Sequence, residues 1–296
     1  MTCSIIVPTK DRPKELLSLV RSIIKQIRLP DQVIIIDQSS HNNINRTRII
    51  NILKKKNISN KYIEKNNLRG LVDAKKYSLQ YNSSDIITFL DDDIILMPTY
   101  LQNICLAFQN NFQIKGANGL ILNKSKQNIF KKTLFNLTHI GLYKDDRGKT
   151  IKTIDKDKPI QVNTLSGGIS SWRREIFNNT QFDNKNFFHF MEDVEFSIRF
   201  KKKYKAGAYL IPNAELFHHH IESNAENKKK QILMHVKECF MIFKKNRRFS
   251  ILGLDLILIL LYYLIYSIYF SFKNKNINYL FSFLIGMTRG INIKIK

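Results

Sequence analysis

The chain has 296 residues, 44% of them hydrophobic, enough to bury a sizeable core, which excludes a wholly disordered protein. Lys and Arg number 48 against 24 Asp and Glu, a formal net charge of +24; a field of that sign draws phosphorylated ligands, anionic lipid or nucleic acid, unless it reflects solvated lysines of a biased composition. Cys3, Cys105 and Cys239 lack metal-type spacing and suit a reducing compartment.

In chain order, residues 4–7, 33–36 and 86–90 are near-continuous apolar runs, as expected of strands buried on both faces. The first run follows Met1-Thr2-Cys3, with no basic leader, and is too short for a signal peptide, so the bulk of the chain is expected in the cytoplasm. Between the strands, Pro13 suits a first helical turn, and Leu16, Leu17, Val20, Ile23, Ile24 and Ile27 follow at helical spacing. Residues 71–81 read as a second covering helix. This alternation predicts an α/β fold with a parallel sheet, and such sheets bind ligands at the carboxyl ends of their strands. Those ends carry Thr9, Asp37 and the cluster Asp91-Asp92-Asp93.

The middle is mixed: a helix after Pro98, strands over 115–122 and 160–165, a helix over 193–203, then strands over 206–211 and 214–218. From Asn224 a polar, Lys-rich helix leads to Lys244-Lys245-Asn246-Arg247-Arg248 and into an apolar stretch, 251–272, interrupted only by Asp255 and two serines. That length could cross a bilayer, which takes about 20 apolar residues. The basic flanks, the run of tyrosines and a shorter apolar stretch at 279–287 favour helices lying on an anionic membrane surface, with a single span as the alternative. The predicted units are therefore 1–105, 106–223 and a membrane-associating tail, 224–296.

Three adjacent carboxylates repel one another, so Asp91-Asp92-Asp93 calls for a cation or a set of donors. Hard oxygen ligands suit Mg²⁺ or Mn²⁺ bridging nucleotide phosphates. Ser4-Ile5-Ile6-Val7-Pro8-Thr9-Lys10-Asp11-Arg12-Pro13, Val33-Ile34-Ile35-Ile36-Asp37-Gln38-Ser39-Ser40 and Phe89-Leu90-Asp91-Asp92-Asp93, in this order, resemble the first strand and turn, second strand and metal motif of family 2 glycosyltransferases, whose nucleotide-binding fold is called GT-A. The resemblance implies that Thr9 lies against the nucleotide base, Asp37 contacts base or ribose, Asp91 and Asp92 face the nucleoside, and Asp93 binds the cation. It extends to Gly70, after which Lys75 and Lys76 stand where relatives carry an Arg aimed at the donor phosphates. Lys75 keeps the charge but not the planar fork, and Arg69 is a candidate to compensate.

Phe190-Met191-Glu192-Asp193-Val194 resembles the element that supplies this family's general base, implying that role for Asp193 with Glu192 in support. A carboxylate there is held ionised by the helix dipole, although it also suits a simple cap. Ala214-Glu215-Leu216-Phe217-His218-His219-His220 resembles the strand whose histidine completes the metal site; His218 fits by position, with His219 or His220 if the register slips. An imidazole ligand shifts preference towards Mn²⁺. Ser166-Gly167-Gly168 resembles the segment lining the donor-sugar pocket. Trp172 reads either as a sugar-stacking ring or as core, and Arg173 and Arg174 either as acceptor-phosphate ligands or as surface.

Together these features imply an inverting, metal-dependent transferase. Its donor is a nucleoside-diphosphate sugar, UDP- or dTDP-linked. Its acceptor is a lipid-linked saccharide of cell-surface polysaccharide synthesis, met at the cytoplasmic face of the membrane. A metal-dependent nucleotidyltransferase or phosphohydrolase is the alternative. No nucleic-acid partner is expected, since no recognition module is visible.

Overall fold

The computed structural model describes residues 1–40, 43–124, 128–147, 158–186, 188–205, 207–219 and 225–295. Strands β1 (Cys3–Thr9), β2 (Gln32–Asp37), β3 (Ser59–Glu64) and β4 (Ile86–Phe89) are parallel, in the order β3-β2-β1-β4. Every residue of β1, β2 and β4 is buried, which is why these strands read as unbroken apolar runs. Helix α1 (Pro13–Ile23) opens on its proline and buries Leu16, Leu19, Val20 and Ile23; α2 (Arg46–Lys55) and α3 (Leu71–Ser78) complete the covering.

Beyond β4 the sheet becomes mixed. β5 (Ile94–Leu96), α4 (Tyr100–Asn110), β6 (Gly116–Ile121), α5 (Ile129–Thr138), β7 (Ile160–Gln161), β8 (Ser170–Arg173) and α6 (Ile176–Asn179) lead to α7 (Glu192–Tyr204) and β9 (Ala208–His218). In the sheet β8 pairs antiparallel with β4 and β6, β6 runs parallel to β9, and β9 pairs antiparallel with β5 and β7.

The two strands expected over 206–211 and 214–218 are one strand carrying an irregularity. Its register against β6 jumps from Gly119 opposite Ile211 to Leu120 opposite Glu215, leaving Pro212, Asn213 and Ala214 out of the pairing. Pro212 has no amide hydrogen to donate, so the ladder breaks there. A side chain at Gly119 would strike the Ala214 carbonyl and the Tyr100 ring, which keeps that position bare. Past the break, β9 sets His218 opposite Ile94, the residue after Asp93, so this irregularity is what aligns the histidine with the acidic cluster.

The tail comprises α8 (Ala225–Asn246), α9 (Leu254–Lys273) and α10 (Asn278–Asn292). α8 and α10 pack closely: a Cβ on Gly286 would lie 2.7 Å from the Leu233 carbonyl, and one on Gly290 would enter the Phe240 ring. A shared core of Tyr143, Met191, Val194, Cys239, Met241 and Ile259 joins the tail to α7 and to the segment after α5. Asp255, the one acid in α9, is fully buried and accepts from the Leu142 amide at 3.1 Å. The boundary expected at 223–224 falls outside the described residues.

Candidate active site

Asp91, Asp92 and Asp93 leave the carboxyl end of β4 and are held differently. Asp92 accepts from Thr9 Oγ1 at 2.7 Å and from Arg12 Nη1 at 3.0 Å, and Arg12 also reaches Asp93 at 3.3 Å. Burial pushes the Asp92 carboxyl above its usual range, and Thr9 and Arg12 partly oppose that. The Asp91 amide donates to the Gly168 carbonyl at 2.8 Å, and a Cβ on Gly168 would collide with the Asp91 carboxylate. His218 Nε2 lies 2.9 Å from Asp93 Oδ1 and 3.8 Å from Asp91 Oδ2.

One ligand atom each from Asp91, Asp93 and His218 lies within 4.8 Å of the others. Two carboxylates and an imidazole form a donor set suited to Mn²⁺ or Mg²⁺, so the residues present fit a divalent ion. Among the described residues this is the only such group found. His219 donates its backbone amide to the Asp93 carbonyl at 2.9 Å, and His220 lies outside the described residues.

Opposite this cluster stands the first turn of α7. Glu192 pairs with Lys75 at 2.6 Å; burial pushes the Glu192 carboxyl up, with Lys75 opposing. Asp193 accepts from the Gly167 amide at 3.3 Å and is ion-paired with Arg147. Arg147 also forks onto Asp145, at 2.9 and 2.7 Å. Burial works against the Arg147 charge, but Asp193 and Asp145 outweigh it and raise its affinity for the proton. The amides of His189, Phe190 and Met191, at the entry to α7, donate to the Glu238 carboxylate of α8 at 2.8, 3.0 and 2.8 Å. The tail therefore caps the amides of the turn that enters the helix carrying Asp193.

A cavity of about 1940 Å³ joins these groups, with Thr9, Asp91, Asp92, Asp93, Asp193 and His218 all on its wall. Two expected ligands do not line it. Asp37, 2% exposed, accepts from the Tyr62 hydroxyl at 2.5 Å and from the Ser39 amide at 2.9 Å, while its neighbour Gln38 faces the cavity. Lys75 is 1% exposed; its ammonium is spent on Glu192 rather than turned to the cavity, because burial of either charge requires the other. Trp172 is core, edge-on to Phe196 and Phe200 with centroids 5.0 Å from each. Arg173 turns inward to the carbonyls of Ile114 and Phe108, and so is neither surface nor an acceptor ligand.

Arg12, Arg147, Asp145 and Glu238 belong to the site without having been singled out from sequence. Arg12 stands within the opening motif, three residues after Thr9, and was readable there. Arg147 sits in an Asp-rich loop with no periodicity or spacing to mark it.

A sequence model of glycosyl transferase family 2 matches residues 4–180. No curated protein sequence matches the chain. The mannosyltransferase PcManGT from Pyrobaculum calidifontis, solved with GDP-Man and Mn²⁺, superposes with TM-score 0.63 at 10% identity, over 98% of this chain and 87% of that one. GalNAc-T7, solved with UDP, GalNAc and Mn²⁺, gives 0.58 at 14% identity, over 79% of this chain and 47% of its own. S. aureus TarS 1-349 gives 0.52 at 18% identity, over 81% of this chain and 66% of that one. At such identities the likeness is one of fold, and the fold is GT-A-like.

Proposed function

This chain belongs to glycosyltransferase family 2, and on that premise we propose that it transfers a sugar, with inversion, from a nucleoside diphosphate to a hydroxyl of a lipid-linked saccharide. The observation that carries this reading is that the Asp91, Asp93 and His218 cluster and the Asp193 carboxylate line one cavity. Asp91, Asp93 and His218 would hold a divalent ion, Mn²⁺ or Mg²⁺, whose chemistry is to neutralise charge on the leaving diphosphate.

Arg12 adds fixed positive charge beside Asp92 and Asp93. Gly167 and Gly168 leave the backbone bare where the Glu192–Lys75 pair and the Asp91 carboxylate pack against it. Asp193, at the start of α7, takes the proton of the acceptor hydroxyl, and Arg147 with the Gly167 amide fixes its orientation. The neighbouring carboxyl, Glu192, is held by Lys75, which supports Asp193 as the base of a single displacement from the face opposite the leaving group, with inversion.

Membrane attachment is supported by α9, a helix of 20 residues with mean hydropathy 1.8 of which 22% of the most apolar window is buried. Ile257, Leu261, Ile268 and Phe272 form an exposed stripe along it, while Asp255 ties its other face to the domain. Exposed Arg247 and Arg248 lie at its start and Lys273 and Lys275 at its end, so the helix suits the plane of an anionic interface better than a span. We assign that interface to the cytoplasmic leaflet, whose anionic lipids attract such basic flanks.

The test is thermal stabilisation by UDP-, dTDP- and GDP-sugars with and without Mn²⁺. A cognate donor at 100 times its Kd should add about 2.7 kcal/mol, in an Mn²⁺-dependent way that Asp93→Asn removes. If no sugar nucleotide stabilises the folded protein, the transferase reading falls.

A further inference from the structure

Arg147 separates the active-site cavity from a second chamber of about 240 Å³. Phe135, His139, Asp145, Arg147 and Phe190 line both spaces, so the two share a wall one side chain thick. The far wall of the chamber comes from the tail: His235 of α8, and Tyr262 and Tyr266 of α9.

Its lining is aromatic with polar tips. Phe135 and His139 stack with centroids 3.6 Å apart, and Tyr262 stands edge-on to His139 at 4.8 Å. Phe190 stacks on His235 at 5.0 Å. Burial lowers the His139 pKa to about 4 and lowers that of His235 too, so both imidazoles are neutral at physiological pH and each can donate and accept. Rings with hydroxyl or imidazole edges suit a ligand with apolar C–H faces and a belt of hydroxyls. An alkyl chain would leave those polar edges and the Asp145–Arg147 floor unsolvated. The volume lies below the roughly 300–1,000 Å³ of drug-sized sites, a scale for one ring rather than an oligosaccharide.

We propose that this chamber receives the terminal hexose ring of the acceptor, so that α9 selects the acceptor while α7 activates its hydroxyl. The proposal rests on the transferase reading above and extends it to substrate class. A ring seated against the contacting pair Tyr262 and His139 meets the wall shared with the catalytic cavity at Arg147, the residue that also holds Asp193.

The experiment is saturation-transfer NMR on the full chain, with methyl and octyl hexopyranosides of gluco, galacto, manno and rhamno configuration. Donor-induced stabilisation in Mn²⁺ is recorded in parallel. At least one methyl hexoside should bind the parent, bind about tenfold more weakly to Tyr262→Ala, and retain affinity for Tyr262→Phe. Donor stabilisation should persist in all three. Should Tyr262→Ala unfold the tail, His139→Gln, which alters the ring in contact with Tyr262 from outside the tail, gives the same readout.

Equal hexoside affinity in the parent, Tyr262→Ala and His139→Gln overturns the proposal. So does binding of octyl glycosides alone, which would make the chamber an alkyl site, and so does failure of every hexoside to bind a parent that the donor stabilises. Absence of donor stabilisation instead removes the transferase reading itself.

Discussion

On the donor side of the cavity, Thr9, Asp91, Asp92 and Asp93 emerge from adjacent strand ends, and sheet pairing alone sets their spacing. On the acceptor side, Asp193 is positioned by Arg147 from a loop, by Gly167 before β8, and by a helix whose entry amides are capped from α8. One half is a rigid edge and the other an assembly of remote pieces. Perturbing the first should therefore change ligand affinity with little structural cost, whereas perturbing the second should couple chemistry, stability and membrane contact.

The sharpest probe of that contrast is Asp193→Asn, which keeps shape but removes the proton acceptor. Transfer should fall by about 10²–10⁴, with donor stabilisation and melting temperature near parental values; transfer at the parental rate would dismiss Asp193 as base. Next in size, Ile257→Asp combined with Leu261→Asp places two charges on the exposed stripe of α9. Sedimentation with phosphatidylglycerol vesicles should weaken about 10²-fold, and unchanged sedimentation would remove α9 from the membrane interface. These substitutions separate anchoring from folding better than deleting the tail, which would also strip the cap from α7.

The smallest effect is expected at Glu238. Burial raises its pKa from the ordinary 4.5 to about 7. The folded state then holds a proton that the unfolded state releases, so this group's contribution is full below pH 4.5 and is lost as pH rises through about 7. The loss is at most about 3 kcal/mol. Glu238→Gln should flatten this part of the stability profile and cost about 1–3 kcal/mol through imperfect capping of the three amides. Denaturant melts across pH 4–8 would check it, and an unaltered slope would assign the titration elsewhere.

The same contrast governs how much was legible beforehand. The parallel strands were readable because burial on both faces writes unbroken apolar runs, and the acidic cluster because it follows one of them directly. His218 was readable by its place at a strand end, although the break at Pro212 that aligns it looked like a gap between two strands. The direction of Lys75 was hidden: it depends on Glu192, 117 residues away. Arg173 next to a surface-like turn gave no hint that its guanidinium closes carbonyls of α4 and the following loop. Arg147 and Glu238 carry no motif, since their roles exist only once loop, helix and tail are packed.

The Glu238 cap has a consequence for how such an enzyme can vary. An anchor that merely tethers can be exchanged for any other greasy segment, but if the tail is the proposed anchor, one of its carboxylates also holds the peptide groups leading into the helix that bears Asp193. Replacement of the attachment device therefore demands a new acid at the same spot, and a version released from lipid by clipping would be released from turnover as well.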